Sequence, residues 1–317
     1  MEKKASGRNS LIELLRFVMA CSVLIFHGFM PFATNLLDMG VTCVAVDFFL
    51  MLGGYLFASS YAKSQSSKSN HPFWNFLGRR LQRLGLPFLI SLLFALYNTI
   101  TMQHIGWLVG YLWFIPVEII AQIIMYLLVT YLKNKKILLA ILLAVAIAGY
   151  SYFFALPPVY TPYPQGGYNI YFTNLWSILG YPLRGIGGVF IGYALTHLPK
   201  IHKPILKSIL AYASFAIVLV VSFWPIFPFK EVILLALFAL AIYLLFQIEF
   251  SFPLFNYLGA ISFGFYVFQT LGSTLRSNQD VTPLVTLLVI IAVSLVSQPQ
   301  AFAAIFANKK SALAPRQ

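Results

Sequence analysis

Ten apolar runs, each about as long as a bilayer is thick, divide this chain from end to end. A helix needs about 20 such residues to cross the hydrocarbon core. The runs fall at 11–30, 41–62, 81–101, 107–132, 137–155, 174–196, 208–224, 231–249, 257–275 and 282–305. Little is left for a water-soluble core, since 60% of the 317 residues are hydrophobic and only 9% charged, against about 25% charged in a soluble domain. The fold class that follows is an all-α polytopic membrane protein of about ten transmembrane helices. Residues 1–317 form a single membrane domain, with 10–305 as its helical core and 1–9 and 306–317 as short tails.

Charge sets the expected orientation. The 21 Lys and Arg outnumber the 8 Asp and Glu, an excess that suits nucleic acid or anionic lipid. Here the basic residues lie in short loops between apolar runs, so they read as topology signals facing membrane lipids, with no nucleic acid partner. Placing the N-terminus inside puts seventeen of them in cytoplasmic segments and leaves only Lys230 and Arg276 outside, with Arg16 and Arg184 within the membrane. The positive-inside rule therefore predicts both termini cytoplasmic.

The first run carries Glu13, Arg16 and His27 with no small-residue cleavage pattern after it, so it reads as a permanent helix and not a signal peptide. Cys21 and Cys43 lack the spacing of a disulfide framework or zinc site and are expected to be packing residues, and no metal is expected. Of the loops, 63–78 is polar and reads as a flexible linker leading into an amphipathic stretch. The 156–173 loop, rich in Pro, Tyr and Gly, is either the wall of an external pocket or an interfacial aromatic anchor. No repeat of fixed period is present.

Chemistry must then come from polar side chains at membrane depth, where ionisable groups are costly and mark sites. Arg16 and His27 are eleven residues apart, close to three turns and about 16 Å, so they project from one helical face. His27 lies about 5 Å below the outer surface and Asp47 about 9 Å down on the next run. A carboxylate bonded to one imidazole nitrogen raises the basicity of the other, which suits His27 as general base and Asp47 as its orienter. Glu13, three residues before Arg16, neutralises part of that charge. Glu118 and Arg184 both fall near mid-membrane, and as a pair they are either a site or an interhelical clamp. Arg79, Arg80 and Arg83 are packed into five positions ahead of the third run. Read at a helix N-terminus, they form either an anion site or a positive-inside anchor.

Taken in order, Arg16-x10-His27, Val46-Asp47-Phe-Phe-Leu-Met-Leu-Gly-Gly54, Arg79-Arg80-x-x-Arg83-x-x-x-Pro87 and Leu112-Trp113-Phe-Ile-Pro-Val-Glu118 resemble successive signatures of the acyltransferase-3 family of integral-membrane O-acyltransferases. Phe190-Ile-Gly192-Tyr193 and Leu258-Gly-Ala-Ile-Ser262-Phe-Gly-Phe-Tyr266 extend the resemblance over nearly the whole chain. The resemblance implies a multi-pass protein of the inner, cytoplasmic membrane. Such a protein moves an acyl group, usually acetyl from cytoplasmic acetyl-CoA, to a hydroxyl of an envelope saccharide or lipid-linked glycan. Arg79, Arg80 and Arg83 are then expected to hold the acyl-CoA, Arg16, His27, Asp47 and Glu118 to serve catalysis, and Trp113 and Arg184 to contact substrate. Some members carry an appended extracytoplasmic esterase-like domain, which is not expected here. Gly53 stands where the family commonly has Ser, Gln269 where a His often follows, and Gln298-Pro299 where a Glu-containing motif is usual. A carrier or flippase lined by Arg16, Glu118 and Arg184 is the competing class, for which matching repeats or broken helices are expected.

Overall fold

In a computed structural model of the chain, the described residues are 9–26, 44–66, 71–102, 113–155, 160–162, 168–170, 175–224, 229–268 and 283–296. Among them are ten helices, one to each apolar run. They are α1 (Ser10–Phe26), α2 (Ala45–Gln65), α3 (Pro72–Met102), α4 (Phe114–Tyr131), α5 (Lys135–Ala155), α6 (Leu175–Leu195), α7 (Pro204–Phe223), α8 (Lys230–Leu245), α9 (Pro253–Val267) and α10 (Pro283–Val296). By length and composition α2, α4, α5 and α7 can each cross a membrane.

Several helix starts are written in the sequence. Prolines open α3, α7, α9 and α10, where a missing N–H costs nothing and φ is already helical. Asn134 caps α5, its side-chain oxygen accepting from the amides of Lys136 (3.0 Å) and Ile137 (3.3 Å).

One loop expectation changes and a second loop gains local structure. The 63–78 segment is not simply a linker: α2 runs on to Gln65, and α3 already starts at Pro72 and continues for 31 residues. Within the 156–173 loop, Tyr160–Pro162 and Tyr168–Ile170 pair as antiparallel strands β1 and β2, with Tyr160 opposite Ile170 and Pro162 opposite Tyr168. The described residues are thus helical with one small hairpin. Tyr, Thr and Ile favour extended backbone, and a two-stranded ribbon has only edges, where Pro162 is tolerated.

The chain divides into two compact units. One comprises residues 1–42, 201–226 and 244–317, and so holds α1, α7, α9 and α10; the other comprises 43–200 and 227–243, holding α2 to α6 and most of α8. In the second unit α2 and α6 meet backbone to backbone. A Cβ at Gly54 would lie 1.9 Å from the Val189 carbonyl oxygen, and one at Gly192 would lie 1.8 Å from that of Met51. Small residues permit such approach, and in an apolar solvent this close packing supplies much of the helix association.

Candidate active site

α2 enters the second unit with Asp47 in its first turn, its amide bonded to the Val44 carbonyl at 2.9 Å. An acidic side chain there is favoured by the helix dipole. The carboxylate is wholly buried. Its Oδ1 accepts from the Tyr150 hydroxyl of α5 at 2.8 Å and from Arg184 Nε of α6 at 3.0 Å. Its Oδ2 accepts from Nε at 3.0 Å and from Nη2 of the same arginine. The structure thus pairs Arg184 with Asp47, a partner that the spacing of the apolar runs did not suggest. The guanidinium carbon lies 4.4 Å from the Phe153 ring centroid and 5.9 Å from that of Trp113, which in turn packs edge-on to Tyr181 at 5.1 Å. Aromatic faces and a doubly bonded carboxylate offset the desolvation that an isolated buried arginine would suffer. Three helices are tied by this one cluster. Glu231, at the start of α8, lies within electrostatic range of both Asp47 and Arg184.

A second constellation surrounds Glu118, the fifth residue of α4. Its Oε1 accepts from Gln122 Nε2, one turn on, at 2.8 Å. A Cβ at Gly53 would lie 2.6 Å from that Oε1, so the carboxylate occupies the space that a side chain at 53 would fill. The Ser common at this place in the resembling family does not fit unless Glu118 moves.

Arg80 of α3 stands over the Phe76 ring at 5.8 Å, and the Glu118 charge acts on it through space. Its Nη2 is buried without a hydrogen-bond partner among the described residues. Arg79 is exposed, and Arg83 follows Arg80 by one turn on the same helix, its side chain outside the described residues. The cluster is not at a helix N-terminus as the sequence suggested. Pro72 starts the helix two turns earlier, with the Asn75 amide bonded to the His71 carbonyl at 3.1 Å. Arg80 therefore lies past the helix's free backbone N–H groups, and an anion at this point would meet guanidinium groups alone. An orphaned guanidinium nitrogen fits a phosphate oxygen, which is the chemistry of a CoA donor.

In the first unit, Arg16 Nη1 and Glu13 Oε2 form an ion pair of 2.7 Å, with Arg16 9% exposed and Glu13 5%. His27 lies outside the described residues, as do Gln269 and Gln298-Pro299. Among the described residues no three His, Cys, Asp or Glu side chains converge as metal ligands do.

Tyr150 and Gln122 were not singled out in the sequence. Gln122 was legible, being an amide in an apolar helix at i+4 from Glu118. Tyr150 carried no signal beyond a hydroxyl in an apolar run, because its partner is 103 residues away.

A family model described as an acyltransferase domain, acyltransferase-3, matches residues 9–298. No curated protein and no solved structure matches the chain.

Proposed function

The chain belongs to the acyltransferase-3 family and is a membrane acyltransferase, and we propose that it moves acetyl from cytoplasmic acetyl-CoA to a hydroxyl of an envelope saccharide or lipid-linked glycan. In this reading ten helices span the inner membrane with both termini cytoplasmic. The observation that carries the reading is the family match over residues 9–298, which takes in Arg16, His27 and the cluster of Arg79, Arg80 and Arg83.

His27 removes the acceptor hydroxyl proton as that oxygen forms a bond to the thioester carbonyl carbon. Arg16 draws the charge that develops on the carbonyl oxygen. The C–S bond breaks, CoA leaves as the thiolate and receives the proton that His27 took, and the acceptor keeps the acyl group as an ester. Arg80 and Arg83, with Arg79 at the surface, hold the CoA phosphates. The orphaned Arg80 nitrogen supports this role. Glu118, set between Gln122 and Gly53, places a negative charge near Arg80 and aligns it. Asp47 and Arg184 act as the strut that fixes α2 against α6, with Trp113 forming the wall between that strut and substrate.

Replacing His27 with Ala tests the reading. Losing a general base lowers turnover about 10²–10⁴-fold. Mass analysis of envelope glycans from cells carrying the wild-type or H27A chain should show O-acetyl groups only with the former. Equal acetylation in both would remove His27 as the base, and the absence of acetylation with either chain would remove the acceptor class.

A further inference from the structure

We infer that Glu13 is the positioning residue for Arg16, and that the bare backbone of Gly259 is what gives Glu13 its seat; the inference rests on the role proposed for Arg16 in transfer. α1 is anchored where it begins. Asn9 Nδ2 donates to the carbonyls of Leu245 (2.6 Å) and Ile248 (2.8 Å), and the Ser10 amide donates to Phe250 O at 2.8 Å. The Ser10 hydroxyl donates to Asn256 Oδ1 at 2.8 Å and accepts from the Phe252 amide at 2.8 Å. These bonds pin the first turn to the chain that leads into α9.

One turn on, α9 passes so close that a Cβ at Gly259 would lie 2.1 Å from Glu13 Oε2 and 2.8 Å from Glu13 Cα. The Glu13 side chain lies flat against that glycine, and its Oε2 meets Arg16 Nη1 at 2.7 Å. Phe17, one turn further along α1, edge-packs on Phe265 of α9 at 5.4 Å and holds the same register. Among the described residues Glu13 is the only hydrogen-bond partner of Arg16. Among the described residues the other guanidinium nitrogens meet no hydrogen-bond acceptor, so they can face a donor while one terminal nitrogen is held. A cation already aimed at the site of developing charge needs no reorganisation during the reaction, and a misplacement of about 1 Å costs about 10²-fold.

The test uses the full-length chain in membrane vesicles with labelled acetyl-CoA as the probe. Label incorporated into the glycan fraction is expressed per molecule of chain in the membrane. Glu13→Asp keeps the charge but retracts the carboxylate by one methylene; its kcat should fall about 10²-fold with KM for acetyl-CoA within about threefold of wild type. Gly259→Ala, which intrudes on the same seat, should show the same split. In an Arg16→Lys background Glu13→Asp should cost little more, because it acts through the arginine. Wild-type turnover per molecule in Glu13→Asp, even at reduced abundance, makes Glu13 merely structural and overturns the inference, as does full additivity with Arg16→Lys. Wild-type turnover in Arg16→Ala would instead overturn the role of Arg16 beneath it.

Discussion

Arg184 in the second unit has no exposed surface; Asp47 grips it through Nε and Nη2, and Phe153 and Trp113 cover it. Arg16 in the first unit keeps 9% exposure and one carboxylate on a single nitrogen. Both are buried arginines with an acidic partner, yet they are committed to different degrees. The partner of Arg184 is 137 residues away on another helix, so the pair ties chain segments together. Glu13 is three residues from Arg16 on the same helix, so their ion pair holds a side chain and not two distant segments. A long-range pair with its donors engaged reads as architecture, and a local pair with donors to spare reads as an aimed charge.

The contrast breaks first at Arg184. Arg184→Ala strands the Asp47 carboxylate in a buried site, which costs about 3–5 kcal/mol, so thermal melting of the detergent-solubilised protein should show a large loss and membrane abundance should fall. Asp47→Leu with Arg184→Met, which buries no charge, should recover abundance. An Arg184→Ala protein that melts like wild type would end the strut assignment.

Arg16→Lys should behave in the opposite way, melting like wild type while turnover drops about 10²-fold, because charge is kept and the planar fork is lost. Destabilisation of this variant comparable to that of Arg184→Ala would erase the distinction between the two units.

A smaller effect is expected from Arg80→Lys with Arg83→Lys. Inside charge is preserved, so topology should hold, while acetyl-CoA binding weakens roughly tenfold for lost charge-assisted hydrogen bonds. The deficit should shrink as salt is raised, since partly exposed phosphate contacts are screened within about 8 Å at physiological ionic strength. Unchanged affinity measured by calorimetry would reduce the cluster to a topology signal.

The smallest change is Tyr150→Phe. It removes one donor from Asp47 and leaves the ion pair in place, so stability should fall by about 1 kcal/mol with turnover per molecule unchanged. A turnover defect larger than the melting shift would move Tyr150 from the frame into the reaction.

Much of the fold was legible because its signals are local. Apolar runs of membrane length mark all ten described helices, prolines mark where four of them start, and Asn134 marks a fifth. The Glu13–Arg16 pair was legible for the same reason, since i,i+3 spacing on a helix sets the distance. The start of α3 was missed because the apolar stretch from Phe73 to Leu77 is short and is cut off from the next apolar run by Gly78 and the arginines, so hydropathy alone does not join the two. The hairpin at β1 and β2 was missed because strands of three residues give no periodicity to read.

The ten apolar runs, the crowding of arginines before the third of them and the ordered motifs of the family are properties of the sequence by itself, for each depends on neighbours along the chain. Which carboxylate meets which arginine is not. Asp47 reaches Arg184 where glycines at 54 and 192 let α2 and α6 approach to backbone contact, and Tyr150 and Glu118 join from α5 and α4 through their own packing. Pairings between residues 65 to 137 positions apart follow from how helices pack, and helix packing is decided by shape across the whole unit, which no local pattern records.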